Sequence, residues 1–386
     1  MDARRNPYTP GAGTRPPALT GRGRQLDQFE LLLGGLRNGR SERSMLIDGL
    51  RGVGKTVLLN TFKDMAEEQG WYAAKLEIRH DTDLRVTISR VAHRLLLEMS
   101  TSERIKDRAN KALRVLKSFS LRTPEGFELS LGVEPAGTAD SGDLEYDIAE
   151  LFLELGQTAL EGGTGVALLI DEIQFLNRQE LEALIHALHE VAQAELPLAL
   201  TRCGLPSLPR LAGEAKSYAE RLFLFQSVGS LDSAAASDAL TIPAVNAGVQ
   251  FEPAAVEAIL ELSDRYPYFL QEYGKHSWLI AKDEAITDRD VEEAHPRVLS
   301  DLDDGFFSVR YQRANPSERN YIDAMAGLGD GPHPTREINQ ALGFSKPAES
   351  SITRAELIDK GLIYASERGF VEFTVPHFAD FVRRSH

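Results

Sequence analysis

The chain has 386 residues, 42% of them hydrophobic and 26% charged, the composition of an ordinary globular protein with length for two or three domains. Its 43 basic and 58 acidic side chains leave a net charge of −15, a field that repels nucleic acid except where basic residues cluster. No apolar run approaches the roughly 20 residues of a membrane helix, and the single cysteine, Cys203, excludes a disulfide framework and a cysteine-based zinc site. A reducing cytoplasm is the expected setting.

Residues 1–17 carry Arg4, Arg5 and Arg15 among Pro7, Pro10, Pro16 and Pro17. Without an apolar h-region this is not a secretory signal, and a flexible arm is expected. Residues 1–43 hold eight arginines against Asp2, Asp27, Glu30 and Glu42, which gives +4 locally. The first strand is predicted at Met45–Ile47, and directly after it the chain reads DGLRGVGKTV. Gly49, Leu50, Arg51, Gly52, Val53, Gly54, Lys55 and Thr56 fit the spacing G-x-x-x-x-G-K-[ST] without a mismatch, and Val57 opens a helical pattern. In such a loop exposed backbone N–H groups wrap phosphates and the helix N-terminus adds its partial positive charge. Lys55 is expected to reach the β- and γ-phosphates of ATP, and the Thr56 hydroxyl to fill one Mg²⁺ position.

A second strand is predicted at Tyr72–Ile78. The stretch 80–160 is long for one crossover; it holds helical patterns at Val86–Met99 and Ile105–Phe119, then an alternating Phe127–Leu131 that reads as a hairpin. The run Val166–Ile170 ends in Asp171 and Glu172. A buried strand ending in an acid pair supplies the other half of a nucleotide-hydrolysing site, with Asp171 serving Mg²⁺ and Glu172 orienting and deprotonating the attacking water. Helix 181–192 places Leu181, Leu184, Ile185, Leu188 and Val191 on one face; His186 and His189 beside it lack a third metal ligand. Strands follow at Leu198–Thr201 and Leu222–Val228, the latter directly after Arg221.

Strands stop after Val228. Residues 231–298 are helical in pattern, broken at Pro243, Pro253 and Pro267. Helices at 316–327, 334–342 and 347–359 then precede two strands within 361–375. Three helices followed by a hairpin is the order of a winged helix. The fold class is therefore α/β: a P-loop parallel-sheet domain (18–228), an all-helical lid (229–300) and a C-terminal winged-helix domain (301–386).

Over residues 18–386 the chain resembles AAA+ ATPases of the origin-recognition and initiator-like branch. Leu19-Thr-Gly21-Arg22 resembles the segment that lies against adenine in that family. Gly49–Thr56 is similar to Walker A and Leu168–Glu172 to Walker B. The resemblance implies Thr201 as sensor 1, Arg221 as an arginine finger acting on a neighbouring subunit, and residues 266–271, including Pro267, as the nucleotide-facing lid segment. There the chain departs from the family, with Arg265 where glycine is usual and Pro267 where initiators carry a sensor arginine.

Two readings of the output remain open: an ATP switch acting on DNA, or a signalling ATPase whose winged helix docks protein or autoinhibits. A homo-oligomer or a heteromeric protein partner is expected in either case, and no membrane. Residues 301–386 hold ten basic and thirteen acidic side chains, net −3, a weak footprint for a DNA-reading module. A metabolic kinase is disfavoured, because nothing after residue 229 resembles an acceptor-substrate domain.

Overall fold

The five apolar runs become five parallel strands in the computed structural model, which describes residues 1–11, 13–121 and 139–385. The strands are β1 (Ser44–Asp48), β2 (Tyr72–Glu77), β3 (Val166–Asp171), β4 (Leu198–Gly204) and β5 (Phe223–Ser227), in the order β2-β3-β4-β1-β5. A parallel sheet needs a crossover between consecutive strands, so helices cover both faces and the strands are buried on both. Met45, Ile47, Leu169, Ala199 and Cys203 face α1 (Gly23–Arg37) and α2 (Lys55–Glu68). Leu46, Leu168, Ile170, Leu200 and Phe223 face the opposite way, onto α3 (Leu84–Ser100), α4 (Lys106–Ser120), α5 (Leu144–Gly162) and α6 (Arg178–Gln193).

The long crossover is thus a packed helical layer. Its keystone is ionic: Arg85 on α3 pairs with the fully buried Asp147 on α5 at 2.8 Å and donates to the Phe119 carbonyl of α4 at 3.1 Å. Asp147 also accepts from the Ser141 hydroxyl and amide. The expected hairpin at 127–131 lies outside the described residues.

Beyond the sheet come α7 (Leu208–Ala215), α8 (Ala219–Leu222), α9 (Ser233–Asn246), α10 (Pro253–Leu262), α11 (Pro267–Ile280) and α12 (Asp288–Leu302). Pro253 and Pro267 each open a helix, where the missing N–H costs nothing. Pro243 does not break α9 as expected, since it sits in the last turn and the helix ends at Asn246. Nor is this region purely helical. Gln250–Phe251 (β6) pairs in parallel with Ala285–Ile286 (β7).

The expected boundary at 300/301 falls inside continuous helix. α12 passes through a π-helical turn, Asp303–Ser308, into α13 (Val309–Gln312). There follow α14 (Pro316–Gly327), β8 (His333–Pro334), α15 (Thr335–Ala341), α16 (Ser351–Asp359), β9 (Ile363–Tyr364), β10 (Phe370–Phe373) and α17 (Phe378–Ser385), with the sheet order β8-β10-β9. The third expected helix is divided, a 3-10 turn at Pro347–Ser350 preceding α16. Apolar side chains from α1 and α2, from α9 to α12 and from the C-terminal elements join in one core.

The N-terminal segment departs most from expectation. Instead of a free arm, Tyr8 is buried at 3% exposure, and Met1, Arg5 and Asn6 donate to the carbonyls of Ala281, Ala247 and Lys275. Trp278 Nε1 donates back to the Asp2 carbonyl. One buried aromatic and a series of main-chain acceptors anchor a segment whose composition reads as solvated.

Asp147→Ala leaves the Arg85 guanidinium buried without its counter-charge, and loss of one partner of a buried pair costs about 3–5 kcal/mol. Equilibrium denaturation should show a loss of that order; a loss within about 0.5 kcal/mol would mean the pair is not the keystone of this layer.

Candidate nucleotide site

At the carboxyl end of β1 the chain turns through the glycine loop and enters α2 at Lys55. Gly52 and Gly54 both adopt φ 92°, a conformation that side-chain-bearing residues rarely take. A Cβ on Gly52 would also lie 3.0 Å from the Tyr266 ring. Lys55 is buried, and its Nζ donates to the carbonyls of Gly49 and Leu50 at 2.7 Å each. Burial pulls its pKa down, opposed by Glu172 and Asp171 nearby. Thr56 Oγ1 donates to Asp171 Oδ2 at 2.7 Å. Burial pushes the Asp171 carboxyl up, and the Thr56 hydroxyl bond pulls it back down.

Glu172 follows Asp171 at the end of β3 with φ 55°, a left-handed conformation uncommon for a residue with a side chain. Arg51 Nη1 donates to its Oε1 at 3.3 Å, and Gln174 Nε2 donates to its Oε2. The same Gln174 accepts from the Leu205 amide at 3.3 Å. Loop, acid pair and the end of β4 are thereby linked.

A cavity of about 530 Å³ opens on these groups, within the usual size of small-molecule sites. The loop, Asp171 and Glu172 form its floor, and Thr9, Pro10, Gly13, Thr14 and Pro16 of the N-terminal segment form one wall. Leu19, Thr20 and Arg22 continue that wall, with Pro267, Tyr268 and Gln271 of α11 and Phe306 and Arg310 of the C-terminal region opposite.

The residues singled out in the sequence separate accordingly. Leu19, Arg51 to Val57, Asp171, Glu172 and Pro267 line the cavity. Arg22 lines it too, but its Nη2 is engaged by the carbonyls of Val53 at 3.0 Å and Gly229 at 2.7 Å, so it braces the loop against the lid. Gly21 lies behind this wall, against Leu231 and Ala235. Gly49 joins the loop to β4, its amide donating to the Gly204 carbonyl at 3.1 Å. Thr201 is not at the site. Strand β4 runs on to Gly204, and Thr201 pairs with Leu169, two residues short of Asp171. Arg221 is exposed at the end of α8, outside the cavity lining. Arg265 is also exposed, its Nη1 turned to Ser233 at 3.4 Å. His186 faces Glu145 and Tyr146, and His189 packs on Tyr218.

Sequence reasoning missed Gln174 and Arg310. Gln174 carries no motif signal. Gln271, within the expected lid segment 266–271, does line the cavity; it is 8% exposed, and its Oε1 has no partner among the described residues. Arg310 is brought in by the π-helical turn, which no spacing in the sequence announces. It lies over the Phe306 ring at 4.0 Å, and burial and the charge of Arg51 push its pKa down to about 10.

A five-stranded parallel core carrying a glycine loop and an acid pair at its carboxyl edge defines a P-loop nucleotide-binding domain. Residues 18–201 match the AAA ATPase domain family. Residues 304–382 match a Domain of unknown function (DUF8462). Among solved structures the chain is similar to Orc1 of Aeropyrum pernix in complex with DNA, at 17% identity and TM-score 0.45, over 96% of this chain and 94% of that one. It is similar to Cdc6p of Pyrobaculum aerophilum, at 14% identity and TM-score 0.49, over 100% and 99%. The RuvB Holliday junction branch migration motor of Thermotoga maritima aligns at 16% identity and TM-score 0.46, over 94% and 96%. No curated protein matches. Among the described residues, no helix is long and apolar enough to cross a membrane.

Lys55→Ala removes a charge from the cavity floor, and the fold should survive because the site is built by backbone around it. ATP affinity measured by calorimetry should fall by about 10² or more, as expected for losing a buried charged contact to phosphate. Equal affinity in wild type and variant would remove Lys55 from the site.

Proposed function

We propose that the protein binds ATP with magnesium in this cavity and hydrolyses it as a switch, and that its C-terminal region is a winged helix that reports the nucleotide state to a partner. The observation that carries the reading is the convergence of Lys55, Thr56, Asp171 and Glu172 on one cavity from two strands that are not neighbours in the sheet. The residues present fit both groups. Backbone amides of the Gly52–Gly54 turn and the N-terminus of α2 suit phosphate, and Thr56 Oγ1 and Asp171 Oδ2, 2.7 Å apart, are the hard oxygen donors that magnesium prefers. The metal, held there, would supply positive charge to the phosphate oxygens.

The chain's own groups divide the remaining work. Lys55, in exchanging its two carbonyl partners for phosphate oxygens, would neutralise charge inside a site shielded from water. Glu172 would accept the proton of the attacking water. Arg221 is exposed on the α8 turn beside edge strand β5, and in this reading it serves the site of a neighbouring copy. Thr201, buried beside Leu169, has no part in the chemistry. A cytoplasmic setting, where ATP is supplied, belongs to the reading.

For the partner, a protein is better supported than DNA. Asp359, at the end of α16, is paired with His80 of the ATPase core, and Lys360 is tied to Glu318 at 2.6 Å. On the outer side of α16 Ile352 is 72% exposed, a contact suited to an apolar protein surface. The second reading, DNA, has the exposed Arg336, Lys346 and Arg368 in its favour. ATP turnover with and without duplex DNA, at two salt concentrations, separates them. A protein-docking module predicts turnover unchanged by DNA; stimulation that fades as salt rises would favour DNA.

Glu172→Gln keeps the side-chain shape but removes the proton acceptor, so steady-state turnover should fall by about 10² or more while ATP binding persists. Undiminished turnover would assign the base elsewhere. A mixture of Arg221→Ala and Lys55→Ala proteins should regain part of the activity that each lacks, because one supplies an intact loop and the other the arginine. No recovery at any mixing ratio would place Arg221 outside the reaction.

A further inference from the structure

One residue of the loop touches the acid, the lid and the C-terminal hairpin at once. The Arg51 guanidinium bridges Glu172, Nη1 to Oε1 and Nη2 to Oε2, each at 3.3 Å. Its backbone amide donates to the Thr374 carbonyl, just past β10, at 3.0 Å, and its carbonyl accepts from the Tyr266 hydroxyl of the lid. From the other side of the hairpin, Gly361 closes on the guanidinium: a Cβ there would lie 2.7 Å from Nη2. Thr374 and Gly361 form one block, since Thr374 Oγ1 donates to the Gly361 carbonyl at 2.9 Å. The base of the C-terminal hairpin therefore sits directly on the residue that grips the acid.

The grip has a chemical consequence. A carboxylate offers about four lone-pair positions. Arg51 Nη1 takes one on Oε1, Gln174 takes one on Oε2, and Arg51 Nη2 adds its charge 3.3 Å from Oε2. An acid whose two oxygens each already accept a hydrogen bond, with a guanidinium charge beside them, is a poorer acceptor for a proton from water. The pair is about four-fifths buried on each side, and the cost of taking two charges out of water offsets much of their attraction, so it is weak evidence for a stabilising role. Fold stability alone gives no reason for an arginine at the point where loop, lid, acid and hairpin meet.

We propose that Arg51 is a positioning residue that holds Glu172 out of use while the hairpin base, Gly361 and Thr374, is seated on the loop, and that displacing the hairpin frees the acid. The partner that engages the C-terminal region then sets the rate of hydrolysis by moving this one contact. The inference rests on the reading of Glu172 as the base.

The test is steady-state turnover of ATP–Mg²⁺ by the full chain and three variants. Arg51→Met keeps the aliphatic stem and removes the grip; kcat should rise about fivefold, the release of one modest ion pair, with KM within about twofold. Gly361→Ala presses a methyl group toward Nη2 and strains the left-handed backbone there, φ 65°; both unseat the hairpin base, so kcat should rise in the same direction. The double variant should be no faster than Arg51→Met alone, because both changes release the same contact. A merely structural role would not raise kcat at constant KM. A kcat unchanged or lowered in Arg51→Met, or gains that multiply in the double variant, would overturn the latch while leaving hydrolysis intact. ATP binding without turnover in all four proteins would instead remove the hydrolysis reading, and this inference with it.

Discussion

The bond from Thr56 to Asp171 spans a strand. β1 and β3 are separated in the sheet by β4, yet the residue opening α2 after β1 reaches the carboxylate ending β3 at 2.7 Å. That is possible only if the loop folds back over the carboxyl edge of β4, where the Gly49 amide meets the Gly204 carbonyl. The geometry of the phosphate cradle, the depth of Lys55 and the position of the acid pair all follow from this closure. Parallel pairing sets it up, because it brings the ends of all the strands to the same edge of the sheet.

Charge explains why so many elements gather at that edge. Lys55, Arg51, Arg22 and Arg310 converge on one cavity lining, and burial lowers the pKa of Lys55, Arg22 and Arg310. Such cations persist because each has a local acceptor: loop carbonyls for Lys55, Val53 and Gly229 for Arg22, Glu172 for Arg51, and the Phe306 ring and carbonyl for Arg310. These are replaceable partners, and a polyanion in the cavity would compete for each of them. A binding event there would loosen contacts with the lid and the C-terminal region together. Arg202 shows the contrasting case: fully buried on the opposite face of β4, its guanidinium has no hydrogen-bond partner among the described residues and rests on Phe223 at 3.8 Å.

The core was legible in the sequence because the signals for a parallel sheet are local. Each apolar run from Met45 to Val228 became a strand within a few residues of its expected bounds, and the glycine loop and acid pair lie together as their spacing requires. What stayed hidden depended on tertiary contact. Thr201 read as a strand end, yet β4 continues through Arg202 and Cys203, which burial between two helical layers makes possible even for an arginine. Residues 1–17 read as a flexible arm because proline and arginine dominate them, whereas Tyr8 and backbone acceptors tie the segment down beside the cavity. Arg310 is reachable only through the π-helical turn after α12, and no residue pattern distinguishes that turn from ordinary helix.

The cavity and the C-terminal hairpin share Arg51, so filling one disturbs the other. Hydrogen exchange of the full chain, with and without a non-hydrolysable ATP analogue and Mg²⁺, measures this directly. Exchange on binding should slow in the loop, residues 49–56, and quicken in residues 361–375. Protection of the loop with exchange at 361–375 unchanged or slowed would contradict it.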